Sequence, residues 1–189
     1  MYKPWRTVSQ FLTNDSKQKK KRFLGELGDF PENSMAVGRL DEDSEGLLLI
    51  TTNGKWSNII NKSALWEKEY YVQVDGDITA DAIESLQKGV EISIEGKAYL
   101  TQSCKAQKLT ELPQLPETLQ RIRDDRHGPT SWLSLTLKEG KFRQVRKMTA
   151  AVGFPTLRLA RVRIGHFTIK NLENLQVVDI TESFEKLIP

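Results

Sequence analysis

The sequence of 189 residues has little cysteine, little histidine and no long apolar run. Its one cysteine, Cys104, excludes an internal disulfide and any metal site built from several cysteines. The first ten residues lack the apolar core of a secretory signal, so we expect a reducing, cytoplasmic location. The longest unbroken apolar run, Leu47 to Ile50, is far shorter than the roughly 20 residues of a membrane-spanning helix. We therefore predict a folded protein that does not cross a membrane.

Common cofactor-binding motifs are also missing. Neither Gly-x-x-x-x-Gly-Lys nor Gly-x-Gly-x-x-Gly occurs, which argues against an ATPase or a nicotinamide-dependent enzyme. His127 and His166 do not have the spacing of metal ligands, so we expect neither a metal nor a cofactor. Spacing leaves open a nucleophilic pair of Cys104 with a histidine, although core or surface roles suit these residues better.

The charge is unevenly distributed along the chain. A formal net charge of +3 comes from 28 Lys and Arg against 25 Asp and Glu. Eight basic residues and no acidic one lie between Lys141 and Lys170, and five more lie between Lys17 and Arg22. The rest of the chain must therefore be strongly acidic. This separation predicts a basic surface that binds a polyanion, with a merely solvated face as the alternative.

Hydrophobic periodicity predicts an α+β fold with a mixed, largely antiparallel sheet. Five strands are expected, at Leu47 to Thr52, Tyr70 to Val74, Val90 to Ile94, Leu133 to Leu137 and Leu157 to Ile164. In the last strand the apolar alternation shifts, which indicates a bulge near Ala160. Helices are expected from Thr79 to Gly89 and from Arg143 to Gly153.

The connections are expected to be irregular. Asn53-Gly54 is typical of a turn, and Asn14 to Ser34 is predicted to be a long loop. We expect residues 1–189 to form a single domain. Two lobes are an alternative, and they would join near 108–129, where three prolines are found.

Two segments concentrate groups that carry chemistry. Carboxylates crowd Gly38 to Gly46, just before the first predicted buried strand. On the helix that follows Arg143, three cations (Arg143, Arg146 and Lys147) share one face. Such a face can bind phosphates, or it can place one guanidinium beside a buried carboxylate and lower the pKa of that carboxylate. The sequence leaves both uses open.

Three motifs in order along the chain make it resemble the RsuA-type ribosomal RNA pseudouridine synthases. They are Gly38-Arg39-Leu40-Asp41 with Ser44 and Gly46-Leu47-Leu48, then Lys68 to Val72, and then Glu139 to Met148. Lys3-Pro4 is similar to the pair that opens the family's catalytic domain, and Val152 to Leu159 is also similar. Pro129 to Leu133 resembles the family's large-subunit branch. No additional S4 RNA-binding module is expected.

The resemblance implies the pseudouridine synthase fold, with an active-site cleft across the sheet. The implied reaction detaches a uracil from its ribose, rotates it and rejoins it through carbon, without a cofactor or a metal. Asp41 would be the nucleophile and would attack either the sugar C1′ or the base C6. Arg146 would pair with Asp41 and keep its pKa low. Tyr70 would stack on the flipped uracil and assist removal of the C5 proton, unless it is an ordinary sheet tyrosine.

The implied partner is large-subunit ribosomal RNA, bound by a monomer with no obligate protein partner. Arg39 would hold a flanking phosphate or fill the vacated base stack. Phosphate contacts are expected from Lys141, Arg143, Lys147, Arg161 and Arg163. Glu42, Asp43 and Glu45 are expected to face solvent or to form local turn bonds.

Two alternative functions follow from the same residues. The chain could be a ribosomal RNA-binding or ribosome assembly factor that keeps the fold without catalysis. It could instead be a glycosidase that releases free uracil. That reaction would need a second catalytic acid, for which Asp43 is the weak candidate.

Overall fold

A computed structural model of the chain describes residues 1–13, 20–63, 65–123, 125–170, 172 and 177–186. The strands are β1 (Tyr2–Lys3), β2 (Thr7–Val8), β3 (Arg22–Phe23), β4 (Met35–Ala36), β5 (Glu45–Leu47), β6 (Ile50–Thr51), β7 (Lys68–Asp75), β8 (Glu91–Ile94), β9 (Lys97–Leu100), β10 (Lys105–Lys108), β11 (Thr130–Leu137), β12 (Thr156–Ile164) and β13 (Phe167–Thr168). The helices are α1 (Gly54–Lys62), α2 (Ala80–Lys88), α3 (Gln144–Ala151) and α4 (Thr181–Glu185), with short 3₁₀ turns at Leu24–Glu26 and Asp125–His127. Within the described ranges no helix has the length and apolar character needed to cross a membrane.

The main sheet crosses the whole molecule. Its strands lie in the order β1, β5, β12, β7, β11 and β10, and β13 pairs with β12 at one end. β12 and β5 run parallel, whereas the other neighbouring pairs of this sheet are antiparallel. The prediction of an α+β fold with a mixed, mostly antiparallel sheet is confirmed.

β7 is the central strand of this sheet. Its alternation buries Tyr70, Val72 and Val74 on one face, as the sequence pattern predicts. It pairs with β11 on one side and with β12 on the other. The predicted irregularity near Ala160 is found as two register shifts in β12, one on each side of that residue.

Two helices cover the face of the sheet that carries Tyr70. α2 begins after Thr79, whose hydroxyl accepts a hydrogen bond from the Ala82 amide, and it ends at Gly89. α3 packs Val145 and Met148 into the same core as Leu86 and Val72. Both predicted helices are confirmed. Their apolar residues, spaced to lie on one side of each helix, pack against this face of the sheet.

The prediction for Leu47 to Thr52 is wrong in part. The segment holds two short strands in different sheets, β5 and β6, and not one continuous strand. Asn53-Gly54 is not a hairpin turn. The Asn53 side chain accepts from the Lys55 amide at 3.0 Å and caps the start of α1. Asn favours turns and helix N-caps for the same reason, so the local pattern could not separate them.

The loop predicted from Asn14 to Ser34 is mostly irregular but contains β3 and the Leu24–Glu26 turn. Its residues 14–19 lie outside the described part, and they include Lys17 and Lys19 of the basic run from Lys17 to Arg22. Between β10 and β11, the described residues 109–123 form neither helix nor strand, as expected for an irregular connection.

Candidate active site

A cleft of about 670 Å³ opens on the face of the sheet that carries Tyr70. It is bounded by the loop between β4 and β5, by strands β7 and β12, and by the loop that leads into α3. The ionisable side chains that line it are Arg39, Asp41, Glu42, Lys68, Tyr70, Glu139, Lys141, Arg143 and Arg161. The cleft therefore gathers residues from all three sequence motifs.

Hydrogen bonds hold the loop that carries Asp41. The Ser9 hydroxyl donates to the Leu40 carbonyl at 2.8 Å and accepts from the Leu40 amide at 3.0 Å. The Ser44 amide then donates to the Asp41 carbonyl at 3.0 Å and closes a turn. The Asp41 side chain is 27% exposed, so it is both fixed in place and accessible from the cleft.

Gly46 determines how close this loop comes to the sheet. β5 runs beside β12 with Gly46 opposite Arg161. A Cβ on Gly46 would lie 2.2 Å from the Arg161 carbonyl oxygen, and the residue has φ +113°. Only glycine satisfies both conditions. This close approach places Asp41 against the strand pair that carries Tyr70 and Arg161.

Two carboxylates and two guanidinium groups form a compact cluster at the cleft wall. Arg143 Nη1 and Nη2 each donate to an Asp43 carboxylate oxygen at 2.8 Å, in a bidentate pair. The same Arg143 Nη1 lies 3.6 Å from Asp41 Oδ2. Arg146 Nη2 donates to the Asp43 carbonyl at 2.6 Å, and its Nε lies 3.5 Å from Asp43 Oδ2.

The two aspartates have different electrostatic environments. Burial raises the pKa of Asp41 and Asp43 raises it further, and these effects exceed the opposing effects of Arg143, Arg146 and Lys3. Burial also raises the pKa of Asp43, but the hydrogen bond and charge of Arg143, with the charge of Arg146, bring it below its usual range. Most of the favourable interaction with the two cations therefore falls on Asp43.

Tyr70 and Arg161 face each other across neighbouring strands. They are register partners on β7 and β12, and the two residues are 9% and 3% exposed. Arg161 Nε donates to the Leu47 carbonyl at 2.8 Å. Full burial lowers the pKa of Arg161, and the adjacent Tyr70 hydroxyl offsets part of this effect. A buried cation thus lies against Tyr70 at the floor of the cleft.

The described part of the chain offers no grouping of three His, Cys, Asp or Glu side chains that could hold a metal. The Cys104 thiol donates to the Leu86 carbonyl at 3.1 Å and packs beside the core under α2. Burial raises the pKa of Cys104 to about 11. This environment favours a structural thiol over a nucleophile.

Comparisons with known proteins agree with this site. A family model described as RNA pseudouridylate synthase matches residues 1–151, which include the three motifs at Gly38 to Leu48, Lys68 to Val72 and Glu139 to Met148. The chain belongs to this family. Its members are isomerases, so the chain is an enzyme of that class. The family resemblance seen in the motifs is confirmed.

Individual relatives extend the match over nearly the whole chain. The Xanthomonas axonopodis protein named ribosomal large subunit pseudouridine synthase E is 40% identical over 171 residues, which cover 90% of this chain and 86% of that protein. The protein of the same name from Vibrio parahaemolyticus is 37% identical over 90% of this chain and 68% of its own length. A crystal structure of a pseudouridylate synthase has TM-score 0.73 and 26% identity, and the match covers all of this chain and 72% of that one. The predicted fold is confirmed.

The structure corrects the prediction that Arg146 pairs with the Asp41 carboxylate. Arg146 makes its contacts with Asp43 and Ser44, and it is not among the residues that line the cleft. The cation beside the Asp41 carboxylate is Arg143. The expectation of a low pKa for Asp41 is also wrong, because burial raises it and Asp43 takes the stronger bonds from Arg143.

Three of the residues predicted to contact phosphates bind other groups of this chain, and their contacts with RNA stay predictions. Arg161 is buried against Leu47 and Tyr70 at the floor of the cleft. Arg163 donates to Glu69 Oε2 at 2.9 Å and lies away from the cleft. Lys147 donates to the Ser93 carbonyl and also lies outside the lining. Lys141 and Arg39 remain, and both are exposed at the cleft.

Sequence reasoning missed the importance of Asp43 and the conformation of Arg143. Asp43 was expected to face solvent or form local bonds, yet it organises both cations of α3. Arg143 precedes α3 in a left-handed conformation, with φ 52°, which turns the chain from the cleft rim into the helix. The crowding of carboxylates between Gly38 and Gly46 was the available signal, since two carboxylates of one tight turn can approach the same guanidinium group.

Proposed function

We propose that this enzyme isomerises a uridine of large-subunit ribosomal RNA to pseudouridine, with Asp41 as the nucleophile. The observation that carries the proposal is the position of Asp41, which opens to the cleft with Arg143 on one side and lies in the same pocket as Tyr70. The choice of large-subunit RNA is supported by relatives named for that substrate, at up to 40% identity over 90% of the chain.

The proposed reaction exchanges one bond for another on the same nucleotide. The ionised Asp41 attacks C1′ or C6, and the bond between N1 and C1′ breaks. The uracil rotates in the cleft and C5 bonds to C1′. The bond from Asp41 to C1′ or C6 breaks and restores the free carboxylate, the proton on C5 leaves and N1 acquires a proton. The cleft suits this sequence because a flipped base is removed from solvent and held near a fixed carboxylate.

The surrounding residues support the base and the RNA backbone. Tyr70 stacks on the flipped uracil and assists removal of the C5 proton, while the buried Arg161 keeps the ring in place. Arg143 stabilises the ionised Asp41, a role that the sequence assigned to Arg146. Arg39 and Lys141 bind phosphates at the cleft rim.

We further propose that the enzyme acts as a cytoplasmic monomer. Asp41, Tyr70, Arg143 and Arg161 all come from one chain, so the site needs no second copy. Ribosomal RNA of bacteria, the source of the named relatives, is made and modified in the cytoplasm. Sedimentation of the purified protein at several concentrations tests the monomer.

Asp41→Asn tests the catalytic assignment. Wild type and variant are incubated with an unmodified transcript of large-subunit ribosomal RNA, and pseudouridine is mapped by carbodiimide treatment and primer extension. We expect a new pseudouridine with wild type and at least a roughly 10³-fold slower reaction with Asp41→Asn, because an amide cannot act as the nucleophile. The matched control is Glu42→Gln, which loses the neighbouring charge that binds Lys21 and should retain activity.

Other outcomes would identify the alternatives. RNA binding without pseudouridine from wild type would indicate an assembly factor, and release of free uracil would indicate a glycosidase. Equal activity of Asp41→Asn and wild type would contradict the assignment of the nucleophile.

A further inference from the structure

Phe142 is an exposed aromatic ring at the rim of the catalytic cleft. The residue is 65% exposed, although a phenyl group stabilises the fold only when it is buried. It lies between Lys141 and Arg143 in the loop that leads into α3, and it lines the same cleft as Asp41. An aromatic residue left in solvent beside an active site suggests a binding role.

The loop around Phe142 is held on both sides. The Gln144 side-chain oxygen accepts from the Lys141 amide at 2.9 Å, and the Gln144 amide donates to the Lys141 carbonyl at 3.1 Å. Gln144 Nε2 also donates to Glu139 Oε1 at 2.5 Å, and the whole of Gln144 is only 3% exposed. Phe142 is therefore presented from a braced turn, which limits the entropy lost when a ligand binds.

The ring has cations around it. The Lys147 ammonium lies 5.3 Å from the ring centroid and donates to the Ser93 carbonyl at 2.7 Å. Lys141 and Arg143 flank the residue along the chain, and the Lys141 ammonium lies 4.9 Å from the centre of the Tyr99 ring. A flat apolar surface surrounded by positive charge is complementary to a nucleobase with its phosphates.

We propose that Phe142 is an RNA-binding residue on which an unpaired base next to the target uridine stacks. The inference rests on the proposed function and deepens it by defining a second base subsite in the cleft. When the target uridine flips out, its neighbour loses a stacking partner. Phe142, in the same cleft as Asp41, replaces that partner, while Lys141 holds the phosphate between the two nucleotides.

The test compares Phe142→Leu with Phe142→Tyr in the full-length enzyme. Initial rates of pseudouridine formation are measured on the unmodified large-subunit RNA transcript. Leu keeps an apolar side chain without a ring, so we expect KM to rise about tenfold with kcat changed less than about threefold. Tyr restores the ring and should return KM to within about twofold of wild type. Leu112→Ala, which changes a more exposed apolar residue outside the cleft lining, should leave both constants unchanged.

The outcomes separate this inference from the function on which it rests. Unchanged KM in Phe142→Leu, with active wild type, would overturn the stacking role alone. If KM is raised in both Phe142→Leu and Phe142→Tyr, the stacking role is also overturned, because an aromatic ring at this position would then not be sufficient for RNA binding. If wild-type protein forms no pseudouridine, the proposed function and the subsite fail together. Thermal unfolding of each variant checks that an exposed substitution leaves the fold intact.

Discussion

At the scale of single residues, the environment separates two aspartates that the sequence presents as similar. Asp41 and Asp43 lie two positions apart in one loop, and both approach Arg143. Asp43 receives two hydrogen bonds from that guanidinium, and its pKa falls despite partial burial. Asp41 receives none of these bonds, and burial raises its pKa. We therefore assign Asp43 to the positioning of Arg143 and Asp41 to chemistry.

This arrangement predicts opposite pH effects from two substitutions. The proposed nucleophile acts as the ionised carboxylate of Asp41, so kcat/KM should rise with pH through the pKa of that carboxyl. Arg143 lowers this pKa, so Arg143→Gln should move the acidic limb of the profile to higher pH. Asp43 raises it, so Asp43→Asn should move the limb to lower pH. We expect shifts of roughly one pH unit.

The profile is measured as the pH dependence of kcat/KM on a transcript of large-subunit ribosomal RNA. Glu42→Gln removes a charge from the same loop and serves as the control, with the limb expected where wild type has it. Movement of the Arg143→Gln and Asp43→Asn limbs in the same direction would contradict the electrostatic assignment.

At the scale of secondary structure elements, the site depends on one close contact between strands. β5 and β12 are parallel, and Gly46 fits against the Arg161 backbone at a distance that excludes a side chain. This contact connects the loop of Asp41 to the strand of Arg161, which in turn pairs with the strand of Tyr70. Residues far apart in sequence reach one cleft because these three strands are neighbours.

Gly46→Ala should therefore destabilise the fold. The added Cβ would overlap the Arg161 carbonyl oxygen, and φ +113° is unfavourable for alanine. We expect the free energy of unfolding in urea to fall by about 3 kcal/mol or more. Gly54→Ala is the control, since a Cβ there meets no atom within 4 Å, and its stability should change by less than about 1 kcal/mol. Equal stability of Gly46→Ala and wild type would show that β5 and β12 can move apart without a loss in the free energy of unfolding.

At the scale of the whole molecule, the basic stretch is largely an internal feature. Six of its eight cations bind carboxylates or carbonyls of the same chain: Arg143, Arg146, Lys147, Arg158, Arg161 and Arg163. Arg158, for example, donates to the buried Glu45 at 2.5 Å. We therefore expect a polyanion-binding surface smaller than the stretch, centred on Lys141 and Arg39, which are exposed at the cleft.

Salt dependence of RNA binding tests this smaller surface. In the inactive Asp41→Asn background, replacing both Arg39 and Lys141 by Ala should weaken binding to the large-subunit RNA transcript. The slope of log affinity against log salt concentration should also become less steep by about 1.5, since two phosphate contacts are lost. Lys88→Ala, which removes an exposed cation paired with Glu84 on α2, should leave the slope as it is. An unchanged slope in the double variant would place the phosphate contacts elsewhere.

The sequence by itself determined the family, the fold class and most of the elements. Thr79 and Gly89 delimit α2 because capping is local chemistry, and the alternation in β7 follows from one buried face. The motif residues Asp41, Tyr70 and Lys141 all line one cleft, as the resemblance implied. The division into domains stays a prediction.

Only the tertiary structure decided which cation approaches Asp41 and which arginines are buried or exposed. Arg143, Arg146 and Lys147 share a predicted helix face, but their partners lie about a hundred or fifty residues away and depend on how α3 packs against the loop of Asp43 and the strand β8. Arg161 and Arg163 look alike in sequence, yet one is buried behind Tyr70 and the other binds Glu69. Charge and spacing are properties of the chain, whereas burial and pairing arise only when distant segments meet.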